Sequence, residues 1–388
     1  MASNSDPIGQ KRPSSSLASL GFDEGRAAEA VALENGRADL VPARIVAVHR
    51  DRSAALTADS AGGLCDMHLR LGAAMKAVDA AASDRPAVGD WVLVRSVPGL
   101  DGTEGAAGIV DSILPRRGFF ARKVAGLRQE AQVLAANVDL CLIATAAGRD
   151  FNPRRIERYL ALAWEGGSKP ILVVTKADLA DDPEELVQAA ESLAFGAPVV
   201  ATSAIDGRGM AELRSLLVPG STAVLLGSSG AGKSTLLNAL AEKDLAATGE
   251  VREDDQRGRH TTTARELFVL ASGAMVIDTP GLREIQLWAD EGGVDDAFPE
   301  IEELVALCRF RDCAHEAEPG CAVRTALEEG RLDPDRHASW RKLRREIAWL
   351  DRREDPSLAR AAREKWRTIN QAMRGYTKER RSIQGSSR

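Results

Sequence analysis

The most informative segment of this 388-residue chain reads Gly227-Ser228-Ser229-Gly230-Ala231-Gly232-Lys233-Ser234, followed by Thr235. It satisfies the phosphate-loop pattern G-x-x-x-x-G-K-[ST]. The apolar run Ala223–Leu226 precedes it and the helical pattern Lys233–Ala241 begins within it, as the motif requires. Its glycines let backbone N–H groups converge on phosphates, and the helix start adds partial positive charge. The segment predicts a nucleotide site in which Lys233 neutralises the phosphates and the Ser234 hydroxyl binds Mg²⁺.

Three further segments bear on which nucleotide is bound. The apolar run Ala274–Asp278 leads into Asp278-Thr279-Pro280-Gly281, where the carboxylate can hold the Mg²⁺ hydration shell and the Gly281 N–H can sense a γ-phosphate. Thr175-Lys176-Ala177-Asp178 follows another apolar run, and its carboxylate can accept two hydrogen bonds that guanine donates and adenine cannot. Thr202-Ser203-Ala204 resembles loops whose backbone approaches guanine O6. The Leu-Ser-Gly-Gly signature of an ABC-type ATPase is missing from the sequence, so guanine is favoured over adenine.

The order of these segments differs from that of ordinary small GTPases, in which the phosphate loop comes first. Here the candidate guanine-reading elements at 175–178 and 203–204 precede the phosphate loop at 227–234. This order predicts a circularly permuted GTPase, and such a rotation is permissible because domain termini tend to lie close together. Apolar runs alternating with helical patterns predict a parallel sheet covered on both faces. The predicted strands are Val138–Thr145, Pro170–Thr175, Pro198–Thr202, Ala223–Gly227 and Ala274–Asp278, and the helices are Pro153–Trp164, Pro183–Ala194 and Lys233–Ala241.

The catalytic group is less clearly indicated than the binding site. The segment Gly258–Thr263 lies between the phosphate loop and Asp278, and Thr262, or else Thr261, could reach Mg²⁺ and the γ-phosphate. Leu282 stands where many GTPases carry the glutamine that orients the attacking water. Another group must therefore do this work: either the nearby His260 or a group supplied by an RNA or protein partner.

Before this domain, five short strand-like runs occupy about 75 residues, with Gly, Asp and Pro between them. They predict an OB-like β-barrel, although another small barrel would fit the same periodicity. The runs are Ala43–Val48, Ala54–Ala58, Leu64–Leu69, Asp90–Val97 and Gly108–Leu114.

A Cys/His cluster follows the nucleotide motifs, with the spacing Cys308-x4-Cys313-x-His315-x5-Cys321. Three thiolates and one imidazole match a structural Zn²⁺ site in which the protein supplies all four ligands. The alternative is three unrelated core cysteines beside a surface histidine. Cys65 and Cys141 are remote in sequence and are predicted to be buried strand residues.

Composition and charge set the remaining expectations. The chain is 44% hydrophobic, has no apolar run long enough to span a bilayer, and begins with twenty polar residues unlike a secretory signal, so we expect a cytoplasmic protein. From Arg336 onward there are 16 Lys/Arg against 6 Asp/Glu, while the whole chain carries a net charge of −6. This basic tail indicates either a polyanionic partner or simply a solvated helix. Residues 1–38 predict a mobile arm, 39–118 the barrel, 119–293 the GTPase domain and 294–388 a zinc-binding, basic helical module.

Taken together, the barrel, the permuted motifs and the Cys/His spacing resemble the YjeQ-type family of bacterial ribosome small subunit-dependent GTPases. The resemblance covers roughly residues 40–375 and includes Val88-Gly89-Asp90 in the barrel. It implies an enzyme that uses Mg²⁺, holds one Zn²⁺, assists late maturation of the 30S subunit, is stimulated by that subunit and contacts 16S rRNA. Nothing in the sequence suggests an obligate dimer, so we expect a monomer. A different hypothesis is an RNA-binding assembly factor that uses GTP as a slow timer, and a third is an ATPase. Thr175 stands where the family usually has asparagine, whose amide helps to bind guanine and to tie the loops together, so this difference bears on guanine affinity more than on guanine identity.

Overall fold

The computed structural model describes residues 15–49, 52–72, 75, 85–97, 106–123, 131–148, 150–194, 196–242, 265–278, 292–316 and 318–354. Their contacts divide the chain into two compact units. One contains the described residues up to Asp278 together with Asp295–Phe298, and the other contains the rest of the C-terminal part. No helix in these ranges is both long and apolar enough to cross a membrane.

The predicted five-stranded barrel is present. Strand β1 pairs with β2, β2 with β3, β3 with β5 and β5 with β4, and β4 returns to pair with β1, which closes the ring. The β3–β5 pairing is parallel and the others are antiparallel. Ile45, Met67 and Val110 fill the interior with their neighbours. The strands are β1 Leu40–Val48, β2 Ser53–Ala58, β3 Leu64–Leu71, β4 Trp91–Ser96 and β5 Ala106–Ile113.

The α/β domain is also present, with a mostly parallel sheet in the order β10-β9-β8-β11-β13-β12. Only β12 runs antiparallel to its neighbour β13. Leu142, Val173, Leu225 and Val276 belong to one buried core, and Leu237 packs into it from a helix. The strands are β8 Leu140–Ala146, β9 Lys169–Thr175, β10 Val199–Ala201, β11 Thr222–Gly227, β12 Arg265–Val269 and β13 Met275–Asp278. The helices are α3 Pro153–Glu165, α4 Pro183–Ala194, α5 Met210–Leu216 and α6 Lys233–Ala241.

The barrel strands and the α/β strands belong to one continuous hydrogen-bonded sheet, which the sequence did not predict. Strand β1 pairs antiparallel with β12, with Ala47 opposite Glu266 and Val48 opposite Arg265. A separate hairpin, β6 Phe119–Lys123 and β7 Ala131–Ala136, lies in the connector between the two predicted domains. The boundary predicted at 118–119 therefore falls inside a single compact unit.

Arg44 in β1 links the barrel to the first residue of β11. Its guanidinium donates to Thr222 Oγ1 at 2.9 Å and lies over the Trp91 ring, 5.1 Å from the centroid. Burial lowers the pKa of Arg44 to about 10, so the group stays charged at neutral pH. A fully buried cation is costly unless its hydrogen bonds are made. Both Nη atoms of Arg44 donate to backbone or hydroxyl oxygens, whereas its Nε has no partner among the described residues.

The prediction of a mobile arm over residues 1–38 is wrong for its second half. Helices α1 Ser15–Ala18 and α2 Glu24–Glu34 form there, and Asp23 caps α2 by accepting from the Arg26 N–H at 2.7 Å. Phe22 packs on Trp91 with ring centroids 4.7 Å apart, and Leu17 and Leu20 are buried. The segment gives no periodic apolar signal, because it packs through a few isolated apolar residues such as Leu20 and Phe22 instead of through a continuous apolar helix face. Residues 1–14 lie outside the described ranges.

The C-terminal unit is helical, as predicted. Trp340, Leu343 and Ile347 are buried on the last helix, and the Trp340 indole N–H donates to Glu302 at 2.9 Å. Several arginines of the basic helix pair with acidic residues of the same unit, including Arg336 with Glu300. The helices of this unit are α8 Pro299–Ala306, α9 Ala322–Glu328 and α10 Pro334–Glu354, whereas α7 Gly292–Ala297 is divided between the two units; the tail beyond 354 lies outside the described ranges.

Candidate nucleotide site and metal centre

The predicted nucleotide motifs meet at one edge of the α/β sheet. Strands β10, β9, β8, β11 and β13 are parallel neighbours, so their carboxyl ends lie on the same side. Thr175 ends β9, Gly227 ends β11 and Asp278 ends β13, while Thr202 directly follows β10. Elements separated by about a hundred residues in sequence are therefore brought to one crevice.

The phosphate loop has the backbone that its glycines allow. Gly227 has φ 147°, and a Cβ added there would lie 2.4 Å from the Ala144 carbonyl oxygen. Helix α6 begins at Lys233, whose Nζ donates to the carbonyls of Gly227 at 2.8 Å and Ser228 at 2.5 Å. The ammonium group is thus held at the mouth of the loop. Ser229, Gly230 and Thr235 are exposed, whereas Ala231 is buried beneath the loop and Gly232 and Ser234 are half-buried.

Thr175 ties the guanine-reading element to the phosphate loop. Its buried hydroxyl donates to the Ala231 carbonyl at 2.7 Å. A Cβ added to Gly232 would lie 3.2 Å from Thr175 Oγ1 and 3.9 Å from Lys176 Cε, so the two loops are in close contact. The expectation that threonine loses this tie is wrong, because a hydroxyl can donate to the same carbonyl that an amide would reach.

The two candidate guanine loops are joined to each other by backbone hydrogen bonds. The Ala177 N–H donates to the Thr202 carbonyl at 3.0 Å, and the Thr202 N–H to the Val174 carbonyl at 2.7 Å. Buried Ser203 accepts from the N–H groups of Ile205 and Asp206 at 3.3 Å, which holds the second loop in a turn. Asp178 and Ala204 are exposed, as groups that meet a ligand need to be before it binds.

His260, Thr261, Thr262 and Gly281 lie outside the described ranges, so their roles stay predictions. One further polar residue, Asp150 in the loop after β8, contacts the phosphate loop through Ser228 and was missed. The available signal was its position directly after a buried strand, on the edge where the other motifs lie.

The four candidate zinc ligands converge. Their ligand atoms all lie within 4.8 Å of one another, with the His315 Nδ1 atom 3.6 Å from Cys308 Sγ and 3.5 Å from Cys321 Sγ. The Cys308 and Cys321 sulfurs are 4.0 Å apart. Tetrahedral zinc with ordinary bond lengths requires about 3.8 Å between sulfurs and about 3.6 Å from sulfur to nitrogen. Cys313 completes the set, so the spacing prediction of a four-ligand cluster is confirmed.

Local structure favours the ligand form that a metal needs at Cys308 and His315 but not at Cys313, where burial and the neighbouring Cys321 and Cys308 sulfurs raise the thiol pKa to about 11. Burial raises the pKa of the Cys308 thiol, but the Val323 and Ala322 N–H groups at the start of α9 outweigh it and hold that pKa below its usual value. Burial lowers the pKa of His315, which keeps its imidazole neutral. Of the two remaining cysteines, Cys141 is buried as predicted, whereas Cys65 is partly exposed.

Comparison with known proteins agrees with this geometry. A family model described as RsgA GTPase matches residues 113–288. A relative from Opitutus terrae, named small ribosomal subunit biogenesis GTPase RsgA, is 47% identical over 365 residues, covering 92% of this chain and 97% of its own length. The chain belongs to the RsgA GTPase family. It is therefore a GTP hydrolase, and its motif order is the permuted one that the sequence predicted.

Further RsgA relatives and two solved structures extend the comparison. A relative from Oceanobacillus iheyensis named RsgA 1 is 46% identical over 288 residues, covering 74% of this chain and 81% of its own. The crystal structure of YjeQ from Thermotoga maritima is similar with a TM-score of 0.59 and 25% identity, covering 79% of this chain and 98% of that one. YloQ, described as a circularly permuted GTPase, has a TM-score of 0.57 at 24% identity over 80% of this chain and 96% of its own. The likeness to YloQ supports the fold alone.

Proposed function

We propose that this chain hydrolyses GTP to assist late maturation of the 30S ribosomal subunit, in the cytoplasm and as a monomer. The subunit stimulates hydrolysis, and the barrel, the Cys/His module and the basic tail contact 16S rRNA. The convergence of permuted guanine-reading and phosphate loops on one sheet edge is the observation that carries the nucleotide chemistry. The biogenesis role is supported by the Opitutus terrae relative, a small ribosomal subunit biogenesis GTPase that aligns over 92% of this chain.

In this proposal each loop of the crevice has one task. Asp178 accepts the two guanine hydrogen bonds, while Thr175, Lys176, Ser203 and Ala204 complete the base pocket. The phosphate loop surrounds the β and γ phosphates with backbone N–H groups, and Lys233 offsets their charge. Mg²⁺ is held by Ser234 and Thr262 with Asp278 in its hydration shell, and Gly281 senses the γ-phosphate. The phosphate-loop residues in contact with the nucleotide are Gly227, Ser228, Ser229, Gly230, Ala231, Gly232, Lys233, Ser234 and Thr235.

In hydrolysis a water oxygen attacks the γ-phosphorus while the bond between that phosphorus and the β–γ bridging oxygen breaks, which yields GDP and phosphate. Lys233, held by two loop carbonyls, stabilises the charge that develops on the phosphate oxygens. Leu282 cannot orient the water because its side chain has no polar atom. We propose that His260 does so, with a group of the ribosomal subunit as the alternative.

The Cys/His cluster holds one structural Zn²⁺ in this proposal. Cys308, Cys313, His315 and Cys321 are its ligands, and their separations fit a tetrahedral ion. All four positions are filled by protein, so the ion stabilises the fold and leaves no open site for chemistry. The small loops around it contribute little apolar core of their own, which is typical of units that need a metal to fold.

The slow-timer hypothesis is favoured by one observation, the leucine at position 282, because it predicts low intrinsic turnover. Single-turnover and steady-state GTP hydrolysis, measured with and without purified 30S subunits, distinguish the two functions. Stimulation of a hundredfold or more supports a subunit-activated enzyme, whereas unchanged slow turnover supports the timer. His260→Ala should retain GTP binding and lose stimulated hydrolysis, and Lys233→Ala should lose phosphate binding altogether.

Subunit binding should weaken steeply between low and moderate salt if the basic tail contacts rRNA phosphates. The measurement is the dissociation constant for 30S subunits at several salt concentrations with a GTP analogue present. An affinity that stays constant with salt would contradict rRNA contacts by the tail.

A further inference from the structure

The loop between β8 and α3 places a carboxylate beside the phosphate loop. Asp150 Oδ1 accepts from the Ser228 hydroxyl at 2.7 Å, and its Oδ2 accepts from the Ala146 N–H at 3.0 Å. Arg155 Nη2 donates to Oδ1 at 2.5 Å and also to the Asp150 carbonyl oxygen. A carboxylate can accept these bonds together because its two oxygens offer about four acceptor positions. Asp150 is therefore held in one orientation from three sides.

Ser228 connects this carboxylate to the phosphate-binding lysine. The Ser228 hydroxyl donates to Asp150, and its backbone carbonyl accepts from Lys233 Nζ at 2.5 Å. Two consecutive hydrogen bonds thus lead from the loop after β8 to the ammonium group. A hydrogen bond to an ionised acceptor is roughly twice as strong as one between neutral groups, so this link restrains the loop more than a neutral side chain would.

A carboxylate so close to a phosphate site would repel the nucleotide if its charge were not offset. Arg155 forms an ion pair with Asp150 in which the two side chains are 33% and 23% exposed, respectively. This partial burial limits screening by water and salt, so the pair presents little net charge to the loop. The backbone of Arg155 is fixed in the first turn of α3, where its N–H donates to the cap residue Asn152 at 3.2 Å.

We propose that Asp150 is a positioning residue for the phosphate loop. It acts through Ser228, whose backbone carbonyl accepts from the Lys233 ammonium group, and Arg155 neutralises the charge of the Asp150 carboxylate. The inference rests on the proposed nucleotide site and adds a residue outside all the recognised GTPase motifs. Asp150 does not touch the nucleotide in this account. It sets the conformation of the loop before the nucleotide arrives, so its loss weakens the affinity for GDP and GTP alike.

A double-mutant cycle on GDP affinity tests the link. We expect about a tenfold loss of GDP affinity in each of the single variants Asp150→Ala and Ser228→Ala. The double variant should bind GDP as tightly as the single variant with the larger loss, because both changes break the same hydrogen bond. If the fold-losses in GDP affinity of the two single variants multiply in the double variant, Asp150 does not act through Ser228. An unchanged GDP affinity in Asp150→Ala would overturn the proposal as a whole.

Two controls separate positioning from folding. Asp182 accepts from the Glu184 and Glu185 N–H groups at 3.0 Å at the start of α4, away from the proposed nucleotide contacts, so Asp182→Ala should lower thermal stability while leaving GDP affinity unchanged. Arg155→Ala exposes the Asp150 charge, and its affinity defect relative to wild type should shrink several-fold from low to high salt. A defect that is constant with salt would overturn the neutralising role. If the wild-type chain itself fails to bind GDP, the proposed function fails first.

Discussion

The nucleotide edge and the Cys/His cluster obtain their geometry in different ways. At the nucleotide edge, loops are fixed by strands whose residues, such as Val174, Leu226 and Ile277, are almost fully buried. In the cluster, the ligands stand on loops where Leu307 is 72% exposed and Phe310 is 41% exposed, so apolar packing is sparse there. The first site is held by a hydrophobic core and the second by the ligands themselves. The two sites should therefore fail under different changes.

The largest effect should come from removing one ligand of the proposed zinc site. Cys321→Ala should reduce bound zinc from one per chain to almost none, because structural zinc contributes about 10–16 kcal/mol of apparent binding free energy to such units. Metal analysis and hydrogen exchange over residues 299–354 measure the loss. Cys65→Ala, which changes a partly exposed strand cysteine, is the matched control and should keep its zinc. Retention of one zinc by Cys321→Ala would contradict the four-ligand site.

At the nucleotide edge, the strongest change should be Gly227→Ala. The added Cβ would lie 2.4 Å from a backbone oxygen that cannot move without distorting β8. We expect a loss of about 3 kcal/mol in the free energy of unfolding and at least a hundredfold loss in GDP affinity. Denaturant titration measures the change in the free energy of unfolding, and a nucleotide-binding assay on the same sample measures the change in GDP affinity.

Gly207→Ala is the matched control for that substitution. Gly207 also has positive φ, at 81°, but an added Cβ meets no atom within 4 Å, so only about 1 kcal/mol of backbone strain is expected. Equal destabilisation by both substitutions would show that the close approach of Gly227 to the Ala144 carbonyl does not contribute to the loss in the free energy of unfolding.

A smaller effect is expected where a single bond ties two loops of the same edge. Thr175→Val keeps the shape of the side chain and leaves the Ala231 carbonyl without its donor, which should cost about 1–2 kcal/mol and weaken GDP binding about tenfold. Thr175→Ser keeps the hydroxyl and should bind nearly as well as wild type. GDP affinity measured for both variants tests the tie, and equal affinities for valine and serine would exclude it.

Features encoded by local pattern were predictable from the sequence. The phosphate loop and the bounds of α4 and α6 follow from motif and periodicity, and the structure confirms them. The Cys/His cluster was readable for the same reason, because four ligands lie within fourteen residues. Strand ends differ by only a few residues, since apolar runs mark the buried part of a strand and not its last hydrogen bond.

Features that depend on contacts distant in sequence were not predictable. Asp150 and Ser228 are 78 positions apart, and no spacing rule relates them. The pairing of β1 with β12 joins two domains that the sequence separates, and the sequence predicted no strand over Arg265–Val269. The helices before residue 35 pack through single anchors such as Phe22, which leave no periodic trace. Folding created these contacts from residues that are individually unremarkable in the sequence.

One measurement tests most directly whether the scattered strand ends form a single guanine nucleotide site. Asp178→Asn replaces an acceptor of guanine hydrogen bonds with an amide that can donate to the 2-oxo group of xanthine. The competing affinities of GTP and xanthosine triphosphate for this variant should reverse relative to wild type, by tenfold or more in each direction. An Asp178→Asn variant that binds GTP as tightly as wild type and gains nothing toward xanthosine triphosphate would contradict the site described here.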